Sequence, residues 1–155
     1  MEPKTKITAE EGKQEIIITR DFDLPLSLLF KAYAEPELVA QWMGTKVLKL
    51  ESKPHGSYQI ETSNAQGIVV MRANGVIHTF LPNQKIIRTF EMEQTPFGVQ
   101  LETYEFEAVT EGTSKLRMQV VYQSVAARDQ GLKMPFAQGI NWAHNRLEEI
   151  ISKLK

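Results

Sequence analysis

The stretch Met134-Pro135-Phe136-Ala137-Gln138-Gly139-Ile140-Asn141-Trp142-Ala143-His144-Asn145-Arg146-Leu147-Glu148-Glu149-Ile150-Ile151-Ser152-Lys153-Leu154-Lys155 predicts one amphipathic helix, entered through Pro135. Phe136, Ile140, Ala143, Leu147, Ile150, Ile151 and Leu154 recur at the three-and-four spacing that draws a single stripe along a helix. Gln138, Asn141, Asn145, Arg146, Glu148, Glu149 and Lys153 fill the rest of the cylinder. The stripe therefore needs a cover from elsewhere in the chain, and the strand patterns before it supply one.

The nearest of these patterns is also the cleanest. From Ser114 to Gln123, Leu116, Met118, Val120 and Tyr122 share one face while Lys115, Arg117 and Gln119 share the other, the period of two that a half-covered strand shows. Working backwards, Glu111-Gly112-Thr113 turns from a strand at Val99 to Val109, and Thr95-Pro96-Phe97-Gly98 turns from one at Lys85 to Glu93. Leu81-Pro82-Asn83-Gln84 precedes it. A longer strand runs from Ile68 to Phe80, where Gly75 predicts a bulge or bend that curls the sheet. Two more, Val47 to Ser52 and Tyr58 to Thr62, flank the turn Pro54-His55-Gly56. Val125 to Leu132 reads as a loop.

At the other end, Ile16, Ile18, Arg20 and Phe22 share a face of a strand from Gln14 to Phe22. Pro25 then opens a helix carrying Leu26, Leu29, Phe30 and Tyr33, and Glu35-Pro36-Glu37 opens a second with Leu38, Val39 and Trp42, stopped at Met43-Gly44. Residues 1–13 have no periodicity and read as a flexible arm before a single domain at 14–155. Connections this short demand antiparallel neighbours. The order of strand, two helices, six strands and helix makes an α+β fold, a curved antiparallel sheet wrapped round the long helix.

Composition narrows the function classes. The 155 residues include no cysteine, which excludes disulfides, thiolate metal sites and a cysteine nucleophile. Eighteen Lys and Arg stand against 19 Asp and Glu, a formal charge of -1 with no concentrated basic stretch, so neither nucleic acid nor an anionic membrane is expected as a partner. No signal-peptide pattern opens the sequence and no apolar run approaches a membrane span of about 20 residues. A cytoplasmic protein is the expectation.

Several ordered motifs then coincide. Arg20-x-Phe22-x-x-Pro25, Leu29-Phe30-x-Ala32, Glu35-Pro36-Glu37-Leu38 and Gln41-Trp42 resemble the opening signature of the activator of heat-shock protein 90 ATPase homologue family, within the START-like (birch pollen allergen-like) superfamily. Pro54-His55-Gly56-Ser57-Tyr58 resembles its Pro-Gly-Gly-x-aromatic hairpin. Gly75 followed by Pro82 and Ile86, and the helix with Arg146-Leu147, continue the likeness from about Ile16 to Leu154. Two departures are visible: Ile140 follows Gly139 where the family has Trp, and His55 replaces the first Gly of the hairpin. The resemblance implies the helix-grip form of the α+β fold and no single reaction.

Inward parity gathers the candidate ligand-binding residues: Arg20, Phe22, Tyr58, Ile60, Met71, Phe90, Tyr104, Phe106, Met118 and Tyr122 from the sheet, with Leu48, Leu50 and Met92 beside them. Phe136, Ile140 and His144 close the cavity from the helix, and Trp42 and Met43 sit at its mouth. Such a set suits a small apolar or amphipathic molecule, with Arg20, His144 and the tyrosines to orient it. The alternative is that these residues fill a core, with Arg20 satisfied by local acids or carbonyls. No metal is expected, since His55, His78 and His144 lack ligand spacing, and no cofactor or nucleophile motif occurs. Glu105 and Glu107 face Lys115 and Arg117 as a solvated ladder. Trp142 lies about 200 degrees round the helix from Ile140, where either the 125–132 loop caps it or another chain does, as in a homodimer or a chaperone contact. Three functions follow in order: a ligand-binding module, a chaperone-associated interaction domain, and a cyclase or hydrolase using His144 or a tyrosine.

Overall fold

The strand before the two short helices and the last strand of the chain lie side by side, and that pairing sets the topology of the sheet. In the computed structural model, which describes residues 4–134 and 136–155 and omits the Phe136 side chain, the strands are β1 (Lys6–Thr8), β2 (Glu15–Phe22), β3 (Lys46–Leu50), β4 (Ser57–Ser63), β5 (Val69–Leu81), β6 (Lys85–Met92), β7 (Val99–Ala108) and β8 (Ser114–Val121). They make one eight-stranded antiparallel sheet in the order β1-β2-β8-β7-β6-β5-β4-β3. The helices are α1 (Leu26–Ala34), α2 (Pro36–Met43), α3 (Val125–Lys133) and α4 (Phe136–Ser152).

Because β2 sits near one edge and β3 forms the other, the chain must cross the sheet between them, and α1 and α2 make that crossing. Their corner is fixed by its own chemistry. Pro36 occupies the first turn of α2, Gly44 ends it with φ 63, and the Trp42 indole donates back to the Ala32 carbonyl at 2.8 Å. The described α4 ends at Ser152, so Leu154 of the expected stripe lies beyond the helix and is exposed. Leu147 and Ile151 are fully buried against Ile16, Ile18, Leu24, Leu29 and Leu116, whereas Ile140 and Ala143 are only partly covered. The dry core thus lies under the second half of α4. Pro135, read as the helix entry, and the Phe136 side chain fall outside the described residues.

Four expectations are corrected. Residues 6–8, read as part of a free arm, pair with β2 through Ile7↔Ile18, and Thr5 is buried; a strand this short has no period to detect. Residues 125–132, read as a loop, form α3, whose Ser124 side chain accepts from the Ala127 amide at 3.0 Å. Its only buried residue is Arg128, which donates to the Glu10 carbonyl at 2.5 Å, so it lacks the apolar stripe by which a helix is recognised. Gly75 is not itself a bulge. It pairs with Tyr58, and the register shift falls between Ile77 and Thr79. A Cβ at 75 would collide with the Thr89 carbonyl and the Tyr58 ring, so close approach is what requires glycine there. Finally, Trp142 is not capped by residues 125–132: it is 58% exposed, with the Arg146 guanidinium 5.6 Å from its ring centre.

The ladder on the outer face forms as Glu105 to Arg117 at 3.1 Å. His55 adopts φ 67, a left-handed conformation that explains a glycine preference at this hairpin position. No helix of the described residues is long and apolar enough to cross a membrane.

Candidate functional site

Above the middle of the sheet, where the first half of α4 is only partly covered, the packing opens into a cavity of about 390 Å³. Its floor is set by strand register. Residues paired across antiparallel strands share a face, so Arg88↔Glu102↔Val120 forms one inward row and Ile86↔Tyr104↔Met118 the next. Ile140, Ala143 and His144 of α4 form the roof, Trp42 and Met43 of α2 one wall, and Tyr122 with Gly131 and Met134 another.

Most of this lining is apolar, and Arg88, Gln100 and Tyr104 converge on Glu102. Arg88 Nε donates to Glu102 Oε1 at 2.9 Å and Arg88 Nη2 to the Tyr104 hydroxyl at 2.7 Å. That hydroxyl donates to the same Glu102 oxygen at 2.8 Å, and Gln100 Nε2 donates to Oε2 at 3.0 Å. The guanidinium lies between two rings, 4.6 Å from the centre of Tyr58 and 4.9 Å from that of Tyr104. Tyr58 is itself held by donating to the Thr89 carbonyl at 2.5 Å. Burial opposes the charge on Arg88, but Tyr104, Tyr58 and Glu102 outweigh it and hold its pKa above the usual arginine value. Burial pushes the Tyr58 and Tyr104 phenols up, and Tyr122 up to about 12, so all three stay protonated at neutral pH.

His144 sits where the cavity meets the dry core. Its Nδ1 is 2.8 Å from Thr5 Oγ1 and its Nε2 is 3.4 Å from the Tyr33 hydroxyl. Thr5 Oγ1 also accepts from Arg20 Nη1 at 3.2 Å, so one hydroxyl joins the guanidinium to the ring. Burial, then the charge of Arg20, lowers the His144 pKa to about 3. The ring is neutral at pH 7.

The sequence-derived candidates divide. Trp42, Met43, Tyr58, Ile60, Phe90, Tyr104, Met118, Tyr122, Ile140 and His144 all line the cavity. Arg20 does not: its buried tip lies beyond His144, donating to Asn145 Oδ1 at 2.6 Å with Nη2 3.7 Å from the Glu148 carboxylate. Its Nε and Nη2 lack hydrogen-bond partners among the described residues, and burial lowers its pKa against the pull of Glu148. Phe22 lies beneath this guanidinium, 5.0 Å away, in the core. Phe106 packs on Phe30 and Tyr33 at 5.0 and 5.6 Å under α1. Met71 lies on β5 opposite Thr62, outside the cavity lining. The inward face is longer than the cavity, so parity selects the face and not the place along it. Leu48 is 46% exposed, because the register shift between Val47 and Lys49 turns it outward.

Tyr33, Arg88, Gln100 and Glu102 line the cavity and were not expected there. A signal was present, since Arg88 precedes Phe90 by two residues and Glu102 precedes Tyr104 by two. Among the described residues no group of three His, Asp or Glu side chains is placed to hold a metal ion.

The sequence model of the family described as activator of Hsp90 ATPase homolog 1-like protein matches residues 23–152. No curated protein matches the chain in sequence. Among solved structures, a Rhodobacter sphaeroides protein superposes with TM-score 0.83 at 20% identity, covering 97% of this chain and 100% of its own. Mycobacterium smegmatis Ms6760 gives 0.80 at 19%, covering 94% and 95%. An Arthrobacter aurescens protein gives 0.84 at 13%, covering 96% and 91%. At these identities the likeness shows the shared helix-grip fold.

Proposed function

Because this chain belongs to the activator of Hsp90 ATPase homologue 1-like family and encloses the cavity just described, we propose that it is a small-molecule-binding module. The family and fold support a ligand-binding or chaperone-activator-like domain in general. The observation that carries the finer reading is a cavity of about 390 Å³ with mostly apolar walls and one buried polar cluster, at Arg88, Glu102 and Tyr104. Volume and lining suit an apolar or amphipathic molecule fixed at one polar end. No covalent step is assigned. His144 is 1% exposed and neutral at pH 7, and burial keeps the phenols protonated there.

Native mass spectrometry of the purified chain, with denaturing extraction, tests this reading. A co-purified mass on the order of a few hundred daltons per chain, the size such cavities take, is expected. A bare chain whose melting temperature no apolar probe raises removes the reading.

A second reading, as an interaction domain of the chaperone-associated kind, is favoured by the exposed Trp142 on the outer side of α4. That indole also suits a homodimer. A light-scattering mass of one chain would remove the homodimer and leave a contact with another protein.

A further inference from the structure

We infer that the cavity selects neutral amphiphiles carrying a hydrogen-bond acceptor, such as a ketone or ester carbonyl on an apolar skeleton, over carboxylates of the same skeleton. The Arg88 Nη1 group is the donor that meets that acceptor. This rests on the ligand-binding reading and adds the chemical class of the ligand to it.

The donors of Arg88 are unequally engaged. Nε is held by Glu102 and Nη2 by Tyr104, while Nη1 donates to no side chain or carbonyl among the described residues. Unlike Nε and Nη2 of Arg20, it is not sealed from its surroundings, and the Arg88 side chain keeps 17% of its surface open in the cavity lining. A donor left open in an apolar chamber gains most from an acceptor that enters already poorly hydrated.

Charge decides which acceptor. Arg88 and Glu102 cancel at 2.9 Å, the lining tyrosines are neutral, and His144 is neutral. Lys49 is the remaining charged group of the lining, half exposed at the rim and 3.4 Å from Glu51. A carboxylate entering this space sheds its hydration and meets no net positive charge, since its attraction to Arg88 is opposed by repulsion from Glu102. A carbonyl sheds far less and still receives Nη1–H. A hydrocarbon of the same shape leaves Nη1 unanswered.

The test uses three probes of one skeleton, 2-acetylnaphthalene, 2-ethylnaphthalene and 2-naphthoate, titrated calorimetrically into the delipidated full chain at pH 7. The ketone should bind tightest, about tenfold or more ahead of 2-ethylnaphthalene, the scale of one hydrogen bond to a charged donor, and about tenfold ahead of the carboxylate, which loses its hydration. Glu102→Gln keeps the shape and removes the opposing charge, so naphthoate should gain about tenfold relative to the ketone. A double variant, Arg88→Met with Glu102→Gln, removes the donor at 88 and should shrink the ketone's advantage over 2-ethylnaphthalene, and it serves if the single variant does not fold. Naphthoate binding as tightly as the ketone to the native chain, or an unchanged ketone advantage over 2-ethylnaphthalene in the double variant, overturns the inference and leaves the cavity reading intact. Failure of all three probes to bind refutes the cavity reading and this inference with it.

Discussion

Protonating His144 should cost this fold stability well above the pH at which most carboxylates titrate. Burial lowers its pKa from 6.5 to about 3, with the charge of Arg20 adding to the effect. An imidazole depressed in the folded state favours folding fully above its unfolded pKa, and that advantage is lost as pH falls from about 6.5 towards about 3. Between pH 7 and pH 5 the unfolded ring takes up a proton and the folded ring does not, which costs about 2 kcal/mol. This number is insensitive to the folded pKa as long as that stays below about 4, because the unfolded ring alone sets it. Thr5, Tyr33, Arg20 and Phe22 surround the ring and offer no carboxylate within hydrogen-bond reach, so nothing nearby compensates a second positive charge. The assay is urea denaturation of the native chain and of His144→Gln at pH 7, 6 and 5, read as the difference between the two. His144→Gln should be weaker at pH 7, yet lose about 2 kcal/mol less than the native chain on going to pH 5. His55 and His78 are common to both chains and cancel. Parallel pH curves for the two proteins would refute the assignment of a buried neutral ring.

Two further perturbations probe the cavity floor. Arg88→Ala leaves the Glu102 carboxylate with Tyr104 and Gln100 as its donors and should cost about 3 kcal/mol in urea, whereas Arg88→Met with Glu102→Gln should cost less; the reverse order would show that the pair is not coupled. Gly75→Ala drives a methyl into the Thr89 carbonyl and the Tyr58 ring, so a loss of about 2–3 kcal/mol or failure to fold is expected, and a loss below about 0.5 kcal/mol would show that the approach is not tight.

The elements that could be read from the sequence are those whose burial imposes a period. The stripe through Ile140, Ala143, Leu147 and Ile151 is legible because the sheet covers one side of α4, and Leu116, Met118 and Val120 are legible because α4 covers one side of β8. Ile7 alone carries the burial of the three-residue β1, too few positions to alternate. The buried residue of α3 is an arginine, so a stripe search passes over that helix. Within the site, parity alone places Arg88 and Glu102 inward as firmly as Phe90 and Tyr104. Both carry charge, and only the strand register, Arg88↔Glu102, shows that each neutralises the other. Leu48 fails for the opposite reason, because a register shift beside it reverses the alternation that was counted.

Arg20 and Arg88 pose the same problem from the same side of one sheet, and the fold answers it in two ways. Arg20 lies under the second half of α4, where Asn145 and Glu148 descend from the helix and Thr5 arrives from beside β1. Its tip is therefore sealed, and the network ties the N-terminal strand to α4. Arg88 lies on β6, facing the half of α4 whose nearest residues are Ile140, Ala143 and His144, none of which provides a carboxylate. The sheet has to neutralise it from within through Glu102, and one nitrogen is left without a partner among the described residues. No carboxylate stands at the roof positions Ile140, Ala143 and His144 to close that nitrogen. Packing over Arg20 thus secures the fold, and on the proposed reading the space over Arg88 is where the ligand sits.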